Sequence, residues 1–300
     1  MRPLRRARGV TLIELVVAMV VVAIVVAATI YFVNPVRQSV DLAGRAELTD
    51  IADNALQRIG RDVRLALPNS VRTTTSGASV FVEFLEVRTA GRYRGDSGSV
   101  SAGNDCADTG IGQPASDELS FDAAIDQCFM TIGTLPNASQ VSANDFLVLN
   151  NHGPGFDGQN AYATAGTMNR RQVTAVLSEA SRERVSFTSA TAFDRTLHDS
   201  PGKRFYIITG PVSYECNTGT ATLTRYWGYA IQAAQPTSFA SGSSALIAEN
   251  VVAPCAFDYA ANVAPQIGLL TLRLTLQKAL SGGAVERVSL YHALHVSNVP

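Results

Sequence analysis

Charge is scarce in this chain. Asp, Glu, Lys and Arg make up 16% of its 300 residues, low for a soluble protein. Part of that deficit comes from an apolar N-terminus. The charges also nearly cancel, 24 basic against 25 acidic, and a net charge of −1 leaves no electrostatic case for nucleic acid. No two of the four cysteines stand at Cys-x-x-Cys spacing, which argues against a zinc site. Gly-x-Ser-x-Gly, a phosphate loop and His-Glu-x-x-His are all missing. The expectation is therefore no enzyme, no cofactor and no metal.

What the chain does have is a basic leader followed by a long apolar run. Met1 to Gly9 carries Arg2, Arg5, Arg6 and Arg8, and the run extends from Val10 to Val33 with one acid, Glu14, near its start. A secretory signal peptide would have an apolar region of about 7 to 15 residues and an Ala-x-Ala-like site. This run is longer and holds no such triplet. A plain signal anchor fits by length, since about 20 apolar residues span a bilayer. The arginines would keep the N-terminus in the cytoplasm. A plain anchor has no use for Glu14, because a carboxylate in a membrane segment costs roughly 2.5 to 3.5 kcal/mol on insertion scales.

Gly9, Val10 and Thr11-Leu12-Ile13-Glu14 resemble the processing motif of the type IV prepilins and their pseudopilin relatives. The resemblance implies that a prepilin peptidase cuts between Gly9 and Val10 and that the new amine of Val10 is methylated. It implies that Glu14 serves assembly, its carboxylate neutralised by the ammonium of a neighbouring subunit. The implied partners are the peptidase, other major and minor pilins, the inner-membrane assembly platform and the membrane itself. Family members usually carry Phe after the cut where this chain has Val10, a departure that bears on cleavage rate.

Cys106, Cys128, Cys216 and Cys255 all follow the apolar run, on the side that the arginines place outside. An even set in an oxidising compartment reads as disulfides. Three connectivities are possible, and nearest-neighbour pairing, Cys106–Cys128 and Cys216–Cys255, is preferred.

Helical periodicity continues beyond Val33. Pro35 is expected to kink the helix rather than end it. Val40, Ala43, Leu48, Ile51, Ala52, Ala55, Leu56, Ile59, Val63 and Ala66 recur at steps of three and four, with charged residues between them. This half is amphipathic and is expected to lie on a globular domain. Pro68 is expected to end it at Leu67. The spans are thus a leader (1–9), a transmembrane half-helix (10–33), an amphipathic half-helix (34–67) and a periplasmic β-rich domain (68–300).

After Leu67 the period becomes strand-like. The candidates are Ser79–Arg88, Glu118–Phe121, Phe146–Leu149, Arg171–Leu177, Arg184–Phe187, Arg204–Thr209, Val212–Cys216, Ala221–Gln232, Gly268–Gln277 and Val285–Val296. Within Thr271–Leu276 the leucines alternate with polar residues and are expected to face inward. Gly- and Ser-rich loops are expected at Arg94–Ala107, Asn150–Asn169 and Thr237–Ser244. The fold class is α+β, a long helix packed on antiparallel sheet.

His292 and His295 are three apart in an expected strand, so they point to opposite faces rather than forming a ligand pair. Asn150–Asn169, with Asp157, has a calcium-loop composition but lacks EF-hand spacing.

Later stretches resemble a minor pseudopilin subfamily of the mannose-sensitive haemagglutinin (MSHA) pilus systems. They include Ala66-Leu67-Pro68-Asn69-Ser70-Val71-Arg72, Gly210-Pro211-Val212-Ser213-Tyr214, Arg225-Tyr226-Trp227-Gly228-Tyr229 and His295-Val296-Ser297-Asn298-Val299-Pro300. The architecture also resembles the J-type pseudopilins of type II secretion and the W-type minor pilins. Three functions remain open: a minor pseudopilin that starts or caps a pilus, a type II secretion pseudopilin, or a membrane-anchored periplasmic enzyme or binding protein.

Overall fold

The computed structural model describes residues 10–95, 118–121, 126–166, 168–179, 181–188, 191–264, 266–280 and 283–300. Helix α1 (Leu12–Val63) opens at Thr11, whose hydroxyl accepts the backbone N–H of Glu14 at 3.4 Å. Its 52 residues make it about 78 Å long. The helix is continuous through Pro35. It ends at Val63, four positions short of Leu67. The reason lies in the sheet beside it. Val87 donates to the Leu65 carbonyl and Leu67 donates to that of Leu85, at 2.7 and 2.8 Å. Residues 65–67 therefore join a strand edge before Pro68 is reached.

The second half of α1 buries one stripe: Gly44, Leu48, Ala52, Ala55, Leu56, Ile59, Gly60 and Val63. Ala43 and Ile51, expected on that stripe, lie on the exposed side instead. Gly60 sets how closely the stripe approaches its partner. A Cβ there would come within 3.3 Å of Leu294.

Two main sheets follow. The larger has nine strands. Its path runs β1 (Arg72–Ser76), β2 (Ser79–Arg92), β9 (Arg204–Asn217), β6 (Phe146–Leu149), β7 (Arg170–Glu179), β8 (Arg182–Phe187) and β5 (Cys128–Met130). Strand β9 changes neighbour midway, pairing with β6 through Ile208 and with β10 (Thr222–Trp227) from Val212. The switch straddles Pro211, which has no N–H to donate. Strand β11 (Ser243–Glu249) extends β10. A short parallel pair, β3 (Arg94–Gly95) and β4 (Glu118–Leu119), stands apart.

The smaller sheet has the order β12 (Val251–Ala264), β13 (Ile267–Ala279), β14 (Val285–Ser297), all antiparallel. Leu270, Leu272, Leu274 and Leu276 of β13 are fully buried, as the alternation expects. They join the α1 stripe, and Phe84, Val212 and Tyr214 of the large sheet, in the main core. Fully burying each such side chain is worth about 1.5–3 kcal/mol, so the helix's second half is held by the domain. A second core forms around Tyr93, Phe129, Phe187 and Phe205. It contains no residue of α1.

Candidate assembly site

The first twenty residues of α1, Leu12–Tyr31, bury nothing. Leu12–Tyr31 has a mean hydropathy of 2.9 and is long and apolar enough to cross a membrane. Every large apolar side chain there is exposed, from Leu12 at 81% to Val16 at 49%. Thr29 satisfies its hydroxyl on the carbonyls of Val25 and Val26.

Val10 sits at the exposed entry to this segment, just before the Thr11 cap. Glu14 is in the first turn, where unpaired N–H groups favour a negative charge. Among the described residues its carboxylate meets no hydrogen-bond or ion-pair partner. Gly9 and the leader residues Arg2, Arg5, Arg6 and Arg8 lie outside the described residues. The segment is a solvent-exposed apolar rod carrying one carboxylate, and such a rod buries itself in lipid or against other helices.

The other half is fastened to the domain by polar bonds as well as by the core. Asp62 accepts from Arg225 Nε at 2.8 Å and from the Tyr214 hydroxyl at 2.6 Å. Arg225 also reaches Glu86 at 3.4 Å. Burial and then the Asp62 bond push the Tyr214 phenol far above its ordinary pKa, so it stays a donor. Lower on the helix, Glu47 pairs with Lys278, and Arg45 with Glu286 at 3.3 Å. These contacts fix direction: β14 runs alongside α1, from Glu286 beside Arg45 to Leu294 beside Gly60.

A buried charge that sequence reasoning missed lies in β2. Glu83 is fully buried, accepts from Arg72 Nε at 2.9 Å, and accepts from the hydroxyls of Tyr229 and Ser213. Burial pushes its carboxyl above the ordinary value even with Arg72 beside it. Arg72 in turn holds the carbonyls of Gln232 and Ala233 and stacks 3.6 Å over the Tyr162 ring. The signal was visible as an acid inside the apolar run Phe81-Val82-Glu83-Phe84-Leu85. It is a structural clamp on the loop after β10.

Cys216 of β9 and Cys255 of β12 form a disulfide, with Cα atoms 6.5 Å apart, that joins the two sheets. Cys128 is also disulfide-bonded. Cys106 lies outside the described residues. His292 faces α1 and His295 faces outward. The asparagines of the 150–169 loop bond backbone: Asn150 to Leu197, Asn151 to Pro68, Asn169 to Leu149. No grouping of three metal-ligating side chains occurs among the described residues.

An open cleft of about 1310 Å³ lies over β7 and β8. Two of its three arginines are engaged with the protein's own backbone, Arg170 with Ala161 and Ala163, and Arg171 with Met168 and Thr191, while Arg195 lies over the Phe121 ring.

No curated protein and no solved structure matches the chain. Residues 4–30 match the family model described as the prokaryotic N-terminal methylation motif. The motif and the exposed apolar helix together support the type IV pilin and pseudopilin class. They imply single-pass anchoring, processing by a prepilin peptidase and assembly with other pilins.

Proposed function

We propose that this chain is a minor pseudopilin that assembles with other pilins to initiate or cap a pilus of the MSHA type, and that it has no enzymatic activity. One observation carries the reading: a methylation-motif helix with nothing buried along Leu12–Tyr31 continues into a large β-rich domain. A fibre needs the first part. The size of the second suits a subunit used in few copies. In this reading the arginine leader stays cytoplasmic and the domain lies in the periplasm, where its disulfides form.

Intact mass of membrane-extracted protein tests processing. The expected product begins at Val10 with one added methyl group, and a chain still beginning at Met1 in the presence of the peptidase overturns the reading. Glu14→Gln should leave cleavage intact and abolish entry into the pilus complex. Neighbouring genes separate this role from the J-type pseudopilin of type II secretion.

A further inference from the structure

The open cleft over β7 and β8 holds more positive charge than it neutralises. Arg170 and Arg171 of β7 line it with Arg195, and the one acid among its described lining residues is Asp194. That acid is engaged locally: one of its oxygens accepts the N–H and the hydroxyl of Thr196, at 2.8 and 2.6 Å. Neither Arg170 nor Arg171 meets a carboxylate among the described residues. Guanidiniums drawn out of water are normally paired with acids. Here backbone carbonyls stand in, and a carbonyl dipole orients a cation without cancelling its charge. Burial pushes both groups below their ordinary pKa, and no neighbouring anion opposes the shift. The carbonyl bonds also leave donors unused. Arg171 gives its two terminal nitrogens to Met168, Arg170, Thr191 and Ala192, while its Nε makes no hydrogen bond. Arg170 holds the Ala161 carbonyl through Nη1 at 2.5 Å, but its Nη2 reaches Ala163 only at 3.3 Å and its Nε makes no hydrogen bond. Nε and Nη2 together form the edge that receives a carboxylate side-on. Both guanidiniums are already immobilised, over the Phe146 ring at 5.1 Å and the Phe193 ring at 4.4 Å. Little side-chain entropy is left to lose on binding.

We infer that this cleft binds an extended acidic peptide whose carboxylates are received by Arg170 and Arg171. Its volume of about 1310 Å³ exceeds the roughly 300–1,000 Å³ of small-molecule sites. Around the arginines the walls carry Gln172, Thr174, Ser186 and Thr188, uncharged groups suited to the N–H and carbonyl groups of a peptide backbone. Nucleic-acid bases bind such basic grooves by stacking on open aromatic faces. Here Phe121, Phe187 and Phe193 are almost wholly buried and Phe146 lies under Arg170, so little ring face is offered. Phe121, Phe187 and Phe193 belong to the second core, which contains no residue of α1. A peptide seated there leaves the helix free for anchoring and assembly.

The test uses the full chain in detergent micelles and a fluorescein-labelled peptide of alternating Glu and Ser, read by anisotropy. Binding should saturate and should weaken as salt is raised. The same peptide with Gln in place of Glu should bind about tenfold more weakly or worse, the effect of losing one charge-assisted hydrogen bond or more. Thr174 is exposed in the same cleft, so Thr174→Glu sets a competing carboxylate there without disturbing the core. It should weaken binding about tenfold, by the same measure. Arg170→Lys keeps the charge but not the planar fork and should weaken binding severalfold. An intact Cys216–Cys255 bond and unchanged circular dichroism confirm that each variant folds. No saturable binding by the folded chain, equal affinity for the Gln peptide, or indifference to both substitutions each overturns the acidic-peptide site. Tighter binding of an oligothymidylate of equal charge, lost in the same variants, overturns it in favour of nucleic acid. Cleavage after Gly9 is read separately by intact mass, so any of these failures leaves the pilin-like reading standing.

Discussion

The two halves of α1 are one continuous helix in opposite situations. Between Leu12 and Tyr31 apolar side chains cover the whole circumference and none is buried. Between Gly44 and Val63 all but Ala46 and Ile51 are gathered on one stripe, and that stripe is covered by the sheets of the domain. A helix apolar all round needs a partner outside its own fold, whereas a striped one is satisfied by the sheet beneath it. The chain thus separates what holds the domain together from what holds the subunit in place.

Deleting Met1–Tyr31 makes the strongest test of that separation. The remaining chain should lose membrane association entirely and keep a cooperative unfolding transition with an unchanged midpoint, read by circular dichroism. Loss of the folded domain would show that the halves are coupled. Next in size, Leu56→Ala should cost about 2–5 kcal/mol in denaturant titration, because Leu56 is 2% exposed. Val20→Ala, at a site 52% exposed, should leave domain stability untouched. Asp62→Ala should cost about 1–3 kcal/mol, since it strips a partner from the largely buried Arg225 and from Tyr214.

The smallest effect should come from a site far from the helix. His198 is buried. Its Nε2–H donates to the Gly158 carbonyl at 2.8 Å while Nδ1 accepts the Asp194 N–H at 3.0 Å. A second proton on Nδ1 would break the latter bond. Burial, above all, holds the imidazole below its ordinary value of 6.5. The unfolded state therefore takes up a proton first. The stability His198 contributes is present above pH 6.5 and is lost as pH falls from there through the lower folded-state value. His198→Gln should flatten that acid limb in thermal melts. An unchanged limb would assign it to other groups.

The helix and the leucine strand β13 were legible because each repeats one period over many residues. Phe146–Leu149 was legible with its observed bounds as a short unbroken apolar run between Asp145 and Asn150. Strand β12 was missed because Pro254, Cys255 and a run of alanines carry no alternation, and its partner strand supplies the pattern instead. Strand β1 is mostly threonine and serine, and β11 opens on two serines, so both were hidden in turn-like composition. The expected strand Ala221–Gln232 stops at Trp227 because Gly228, at φ 74°, turns the chain. The Glu83 clamp depends on Arg72 and Tyr229, brought together only by tertiary pairing. At the membrane segment the opposite holds: its motif is local, and residues 4–30 match the N-terminal methylation motif with no tertiary contact to assemble it.

Because β14 lies along α1 rather than across it, the molecule has a defined response to tension. A pull on the anchored helix, resisted at the far end of the domain, acts along the strands. The thirteen paired positions of β13 and β14 then bear the load side by side and must slip together. A crosswise strand would peel open one bond at a time. The same alignment puts the β13–β14 turn beside Gly44, where the pull enters the sheet, and the end of β14 where the pull is resisted.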